Sequence, residues 1–294
     1  MYIDPFLSYL KNEKRFSAHT LKGYQTDILQ FTTFSLEEFE VDEPKMIGHQ
    51  LIRSWMVSLL EQGVTPRSIN RKLSTLRTYF KFLHRSEVID KDPMIKVQSP
   101  KMGKRITPFV EVGAMKELLK PEKFNNDFAG ERDKLVLALF YETGMRLSEL
   151  IGLNDSDVNH HGLLIKVLGK RNKERLIPIS KAMSDQINIY TAIRAEEAFE
   201  NEGDRLLLTN KGKKLYPKFV YSLVNSYLGS VTTSSKKSPH VLRHTFATHM
   251  LNNGASLNSI KEILGHANLS ATQVYTHNSI EKLKNIHKQA HPKG

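Results

Sequence analysis

The chain has no cysteine, which excludes disulfides and thiolate metal sites and suits a reducing compartment. It contains no run of 18 apolar residues, so no transmembrane helix is expected. The opening Met1-Tyr2-Ile3-Asp4-Pro5 lacks the basic region and apolar core of a secretion signal. Together these absences lead us to expect a cytoplasmic protein with no membrane partner. Acidic residues are also scarce: 31 Asp and Glu stand against 43 Lys and Arg, a net charge of +12 with a pI near 9.6. Such a surplus calls for a polyanionic partner. Residues 1–100 carry 14 basic and 12 acidic side chains, so most of the surplus falls on residues 101–294.

What is present is enough for two domains, since 294 residues with 39% hydrophobic content can build real cores. Residues 4–14 read as a short helix. Ser17 is a candidate N-cap for a helix through Leu21, Tyr24, Ile28, Phe31 and Phe34. A third helix runs from Ile47 to Gln62, with Gly63 as its C-terminal cap. Thr65-Pro66 then places a cap residue before a proline at the first helical position. On the helix Arg67 to Arg85, the cations Arg71, Arg77, Lys81 and Arg85 lie within about 80° of Arg67 at 100° per residue. Ile69, Leu73, Leu76, Phe80 and Leu83 cluster opposite, while Phe82 and Lys72 break the partition. No acid occurs between Pro66 and Arg85, so the basic face is a candidate DNA-binding surface. Residues 90–107, with Pro93, Pro100 and Gly103, read as a linker, which places a helical domain at 1–100 and a second domain at 101–294.

In the second segment, helices are expected at 112–120, 132–142, 181–200, 216–228, 240–252 and 257–264. Strands are expected at 163–168, 175–179 and 206–208. The fold class is therefore mainly α with a small β-sheet. Gly144 interrupts a helix and Arg146 follows it, so a guanidinium is aimed from a tight turn. Lys170 lies in the charged turn between two strands. His240 and Arg243, at i and i+3, share a helix face. His244 adds an i+4 imidazole to His240, a spacing that can bind zinc, but position 241 is Val241 rather than the glutamate of an HExxH motif and no nearby carboxylate completes a triad. His244 and His249 read as structural. Ser256 caps the helix at 257–264, Gly265 ends it, and His266 and Tyr275 follow.

The segments TGMRLSEL, GKRNKER, SPHVLRHTFATHML, EILGH and QVYTH together resemble the tyrosine recombinase (phage integrase) family, and within it the Xer subfamily. The resemblance spans residues 141–276 in the catalytic segments, and the N-terminal helices are similar to the subfamily's SAM-like core-binding domain. It implies an α+β catalytic domain in which Arg146, Lys170, His240, Arg243, His266 and Tyr275 act on one phosphate. Tyr275 would be the nucleophile, forming a 3′-phosphotyrosyl bond and releasing a 5′-hydroxyl, so that the strand is rejoined without ATP. Arg146 and Arg243 would grip non-bridging oxygens. Lys170 would protonate the departing oxygen, His240 would move the tyrosine proton, and His266 would donate a hydrogen bond. Glu149, one turn after Arg146, would orient the cations. With so many cations, no metal and no cofactor is expected.

The resemblance further implies double-stranded DNA with paired recombination sites, a homo- or hetero-tetramer that exchanges the C-terminal tail, a second Xer-like recombinase, a septal DNA translocase and a nucleoid-associated location. A housekeeping role in resolving chromosome dimers leads, because no additional arm-binding domain precedes the helices. An integrase or invertase of a mobile element and a noncatalytic DNA-binding protein are the alternatives.

Overall fold

The computed structural model describes residues 2–103, 108–169, 174–197, 199, 204–265 and 277–293. The chain divides into two compact units, Met1–Arg105 and Ile106–Gly294.

The first unit is four helices: α1 (Ile3–Asn12), α2 (Ala18–Phe39), α3 (His49–Glu61) and α4 (Pro66–Arg85). Ser17 Oγ accepts from the Thr20 amide, and Thr65 caps α4 in the same way ahead of Pro66. Each cap satisfies a backbone donor that the first helical turn leaves orphaned. Phe31, Trp55 and Phe80 meet edge to face with centroids 5.1 and 6.2 Å apart around Phe31. Residues 90–97 are not free chain, as a linker would be. Pro93–Lys96 form a 3-10 turn, and Ile89, Met94 and Val97 are buried in this unit's core.

Lys72, out of place on the amphipathic pattern, is buried because it has a buried acid to meet. Its Nζ donates to Asp27 Oδ1 at 3.1 Å and to Gln30 Oε1, and it lies 6.0 Å from the centre of the Trp55 ring. Asp27 also accepts from Thr75 Oγ1 at 2.9 Å and from both terminal nitrogens of Arg71. Breaking a buried pair by deleting one partner leaves the other charge uncompensated. Asp27→Ala should therefore lower the stability of this unit by about 3 kcal/mol, read from denaturant unfolding; a loss under about 1 kcal/mol would show that Lys72 escapes to water.

The second unit contains α5 (Val112–Leu118), α6 (Phe128–Thr143), α7 (Leu147–Gly152), β1 (Val158–Asn159), β2 (Leu164–Leu168), β3 (Glu174–Pro178), α8 (Lys181–Glu196), α9 (Pro217–Gly229), α10 (Pro239–Asn252), α11 (Leu257–Leu264) and α12 (His277–Ala290). Helix α6 is buried on all sides from Leu135 to Thr143, as expected of a central core helix. The sheet is antiparallel in the order β1-β2-β3, with Ile165 opposite Ile177 and Val167 opposite Arg175. The expected strand at 206–208 does not form; residues 205 and 208 make only isolated bridges, to Asn154 and Lys214. The mainly helical class with one small sheet is what the pattern predicts.

Helix α12, expected to dock on a neighbouring subunit, packs on its own unit. His287 Nε2 donates to the Glu142 carbonyl at 2.8 Å, His291 Nε2 to the Tyr141 carbonyl at 3.0 Å, and Asn253 Nδ2 to the Ala290 carbonyl at 2.8 Å. His291 Nδ1 meanwhile accepts from the Lys293 amide at 3.0 Å, so this ring is neutral. The two imidazoles stack with centroids 5.1 Å apart. Burial, reinforced by repulsion from His287, lowers the His291 pKa to about 3, and burial lowers that of His287 too.

The unfolded imidazole titrates near 6.5, above these folded values. The stability due to neutral burial is thus complete above pH 6.5 and is lost as pH falls from there, for His291 toward 3. His291 should contribute a slope approaching about 1.4 kcal/mol per pH unit below 6.5, and His287 adds in the same direction. The denaturation midpoint of the full chain should fall steeply from pH 7 to 5; a flat profile would refute the neutral assignment.

Candidate active site

The α6–α7 junction makes the first half of the site. Gly144 ends α6 with φ of 59°, and a Cβ there would lie 2.5 Å from Phe246 Cδ1 and 2.7 Å from Leu264 Cδ2. Both the left-handed backbone and the close approach require glycine. Arg146 is the N-cap of α7, and Glu149 folds back on it: Glu149 Oε2 accepts from the Arg146 amide at 2.6 Å, and Oε1 accepts from Arg146 Nη1 at 2.7 Å.

The second half is the C-terminal end of α11, where three successive carbonyls need donors. Each receives one from a different arginine. Arg175 Nε donates to Ile263 O at 2.7 Å, Arg243 Nη2 to Leu264 O at 2.8 Å, and Arg146 Nη2 to Gly265 O at 2.9 Å. Arg243 Nη1 also donates to Gly144 O at 2.6 Å, tying the two halves together. Gly265 has φ of 66°, and a Cβ there would sit 2.9 Å from Arg175 Cδ. The helix end, negative by its dipole, thus gathers three guanidiniums.

Glu149 is the one carboxylate among them. It is 4% exposed and accepts from Arg175 Nη1 at 2.7 Å and Nη2 at 2.9 Å in addition to Arg146. Burial opposes its charge, yet hydrogen bonds and attraction from Arg175, then hydrogen bonds from Arg146, hold its pKa down at about 2. Arg243 is lowered to about 10, chiefly by burial and then by repulsion from Arg146 and Arg175. It stays protonated at neutral pH. The arrangement presents fixed positive charge with unused N–H donors, which suits a phosphate.

Of the residues singled out in the sequence, the structure brings together Arg146, Glu149 and Arg243. His240 is exposed on the first turn of α10, one turn before Arg243. Lys170, His266 and Tyr275 lie outside the described residues. His249 is buried, with Tyr141 Oη 3.0 Å from its Nδ1. Among the described residues there is no cluster of three or more side chains able to hold a metal.

Arg175 closes the segment GKRNKER but has no role in the sequence reading, although a signal for one existed. In the alternation Arg175, Ile177, Ile179 it takes an inward position opposite Val167, where an arginine must find a buried acid.

On α4, Arg67, Lys81 and Arg85 are exposed and make no ion pair among the described residues. The other two cations of the expected DNA face are engaged internally. Arg71 pairs with Asp27 from α2, and Arg77 donates to Ser99 Oγ at 2.9 Å and Val97 O at 3.4 Å. The helix lacks acids, but acceptors distant in sequence reach it. Lys81 also lines a groove with Lys45, Lys91 and Lys96.

Comparison with known proteins agrees with this geometry. Residues 3–87 match the family model for the phage integrase N-terminal SAM-like domain, and residues 109–282 match that of the phage integrase family. The chain is 36% identical to the tyrosine recombinase XerC of Chlorobaculum parvum, covering 99% of this chain and 94% of that protein. It is 33% identical to the tyrosine recombinase XerD of Staphylococcus haemolyticus over 99% and 98%. Its fold is similar to that of the XerH site-specific recombinase bound to palindromic difH substrate, with a TM-score of 0.71 and 18% identity over 93% of this chain and 77% of that one. An integrase of the transposon Tn1549 in complex with circular intermediate DNA also scores 0.71, at 18% identity over 95% and 98%. The three-arginine site at a junction of α6, α7, α10 and α11 lies within a domain match covering more than half of the sequence, and on that ground the chain belongs to the phage integrase family.

Proposed function

We propose that this chain is a tyrosine site-specific recombinase that cleaves and rejoins double-stranded DNA, with a Xer-like role in resolving chromosome dimers. The observation that carries the reading is the pairing of Arg146 and Arg243 on adjacent carbonyls, Gly265 O and Leu264 O, beside a carboxylate neutralised by Arg175. Two guanidiniums held this way offer donors to the non-bridging oxygens of one phosphodiester and stabilise the charge that grows in the pentacoordinate transition state.

The chemistry balances with the residues of the sequence motifs. The Tyr275 oxygen forms a bond to phosphorus as its proton passes to His240. The bond from phosphorus to the 5′-oxygen breaks, and Lys170 supplies the proton that makes a 5′-hydroxyl. His266 donates a hydrogen bond to the phosphate. Reversal with a different 5′-hydroxyl rejoins the strand, and the ester conserves the energy of the broken bond. Arg67, Lys81 and Arg85 bind the duplex backbone, and the engaged Arg71 and Arg77 contribute less. Recombination of paired sites needs an assembly of four subunits, all of one kind or shared with a second Xer-like recombinase. Exchange of α12 between subunits is compatible with its few polar anchors. A septal DNA translocase as partner and a nucleoid-associated, cytoplasmic location follow from the same role.

Near full-length similarity to proteins named XerC and XerD favours this role over a mobile-element integrase. Covalent capture on a nicked suicide substrate, from which the short cleaved strand diffuses away, tests the proposal. Wild-type protein should form a DNA adduct, with undiminished yield after chelator treatment. Absence of any adduct, with duplex binding intact, would leave a noncatalytic DNA-binding protein.

A further inference from the structure

We propose that Arg175 is a positioning residue for strand cleavage, acting through Glu149 to aim Arg146 and to neutralise the carboxylate beside the phosphate. This inference rests on the recombinase reading above. Every nitrogen of the Arg175 guanidinium is engaged: Nη1 and Nη2 donate to the two oxygens of Glu149 at 2.7 and 2.9 Å, and Nε donates to Ile263 O at 2.7 Å. One N–H is left on each terminal nitrogen, and the side chain is only 5% exposed. Its effect must pass through what it holds.

Two things depend on it. The first is direction. Glu149 binds both the amide and Nη1 of Arg146, so the plane of its carboxylate sets where the remaining Arg146 donors point. A planar bidentate pair with Arg175 fixes that plane. The second is charge. Three guanidiniums against one carboxylate leave a surplus of two positive charges, and loss of Arg175 would leave one. A phosphodiester carries one negative charge and acquires a second as the phenolate adds. Leaving Glu149 less neutralised therefore weakens the site's hold on the transition state more than on the ground state. Arg175 also holds the end of α11, and Gly265 packs against its Cδ.

The test is a double-mutant cycle in the full chain on the nicked suicide substrate, following single-turnover cleavage rate, end-point yield and duplex affinity. Arg175→Gln should slow cleavage about 100-fold, the order of a misaimed catalytic group, with duplex affinity and end-point yield close to wild type. A merely structural role would instead reduce end-point yield and thermal stability in proportion to lost activity. In a Glu149→Gln background the same substitution should cost less than about 10-fold, because the group through which it acts is already altered. Arg175→Lys, which keeps the charge but not the bidentate pair, should fall between wild type and Arg175→Gln. An unchanged rate in Arg175→Lys and Arg175→Gln, or an equal loss in both backgrounds, would overturn the proposal. Should Arg175→Gln not fold, Arg175→Lys alone decides: a wild-type rate overturns it. Arg146→Lys and Tyr275→Phe run in parallel separate the two levels. If they cleave normally, the recombinase reading fails; if they fail while the Arg175 variants cleave normally, only the positioning role fails.

Discussion

Tyr275→Phe is expected to bind duplex DNA as the wild type does and to form no covalent adduct at all. The substitution removes one oxygen and keeps the ring, so the loss is of a nucleophile rather than of packing. Affinity should persist because the proposed phosphate contacts come from other groups: exposed cations such as Arg67, Lys81 and Arg85, and the guanidiniums of Arg146 and Arg243. No other residue of the motif set can replace the phenol, since the remaining members are cations or imidazoles suited to gripping phosphate and moving protons. Gel-shift affinity and denaturing-gel capture, measured on the same nicked substrate, separate the two properties. Capture by Tyr275→Phe at wild-type yield would sink the nucleophile assignment.

Arg146→Lys should lower the single-turnover cleavage rate by about 100- to 1000-fold, the range for loss of one preorganised donor to a developing oxyanion. The geometry explains why retained charge is not enough. Arg146 spends Nη1 on Glu149 and Nη2 on Gly265 O, and its planar fork still has N–H groups to offer. An ammonium is a single point. If it stays with Glu149, the Gly265 carbonyl loses its donor and the phosphate loses its second contact. Duplex affinity should change far less than rate, because the missing interaction is strongest when phosphorus is pentacoordinate. A rate within about threefold of wild type would remove Arg146 from the proposed machinery.

Much of the local structure was legible in the sequence. Ser17, Thr65 and Ser256 cap the helices they were expected to cap, Pro66 takes the first position of α4, and Gly265 ends α11. Each of these depends on atoms within about four residues. The Gly144–Arg146 turn and the Glu149 return contact were legible for the same reason. The bridges at 205 and 208 were misread as a strand because an apolar triplet does not say whether a partner chain runs beside it. Arg71 and Arg77 looked free because their own helix lacks acids, whereas Asp27, Val97 and Ser99 come from elsewhere.

The sequence by itself therefore determined the helical class, the capped element ends and the residue types that can act on a phosphate, since these are set by short-range sterics and side-chain chemistry. Tertiary structure alone decided that α12 lies on its own unit, that Lys72 is buried, and that Arg175 joins Arg146 and Arg243 around Glu149 at the end of α11. Those outcomes turn on which distant carbonyl or carboxylate the fold brings within hydrogen-bond reach. A buried charge follows its partner, and pairs such as Lys72 with Asp27 or Arg175 with Glu149 are set by packing that no local pattern encodes.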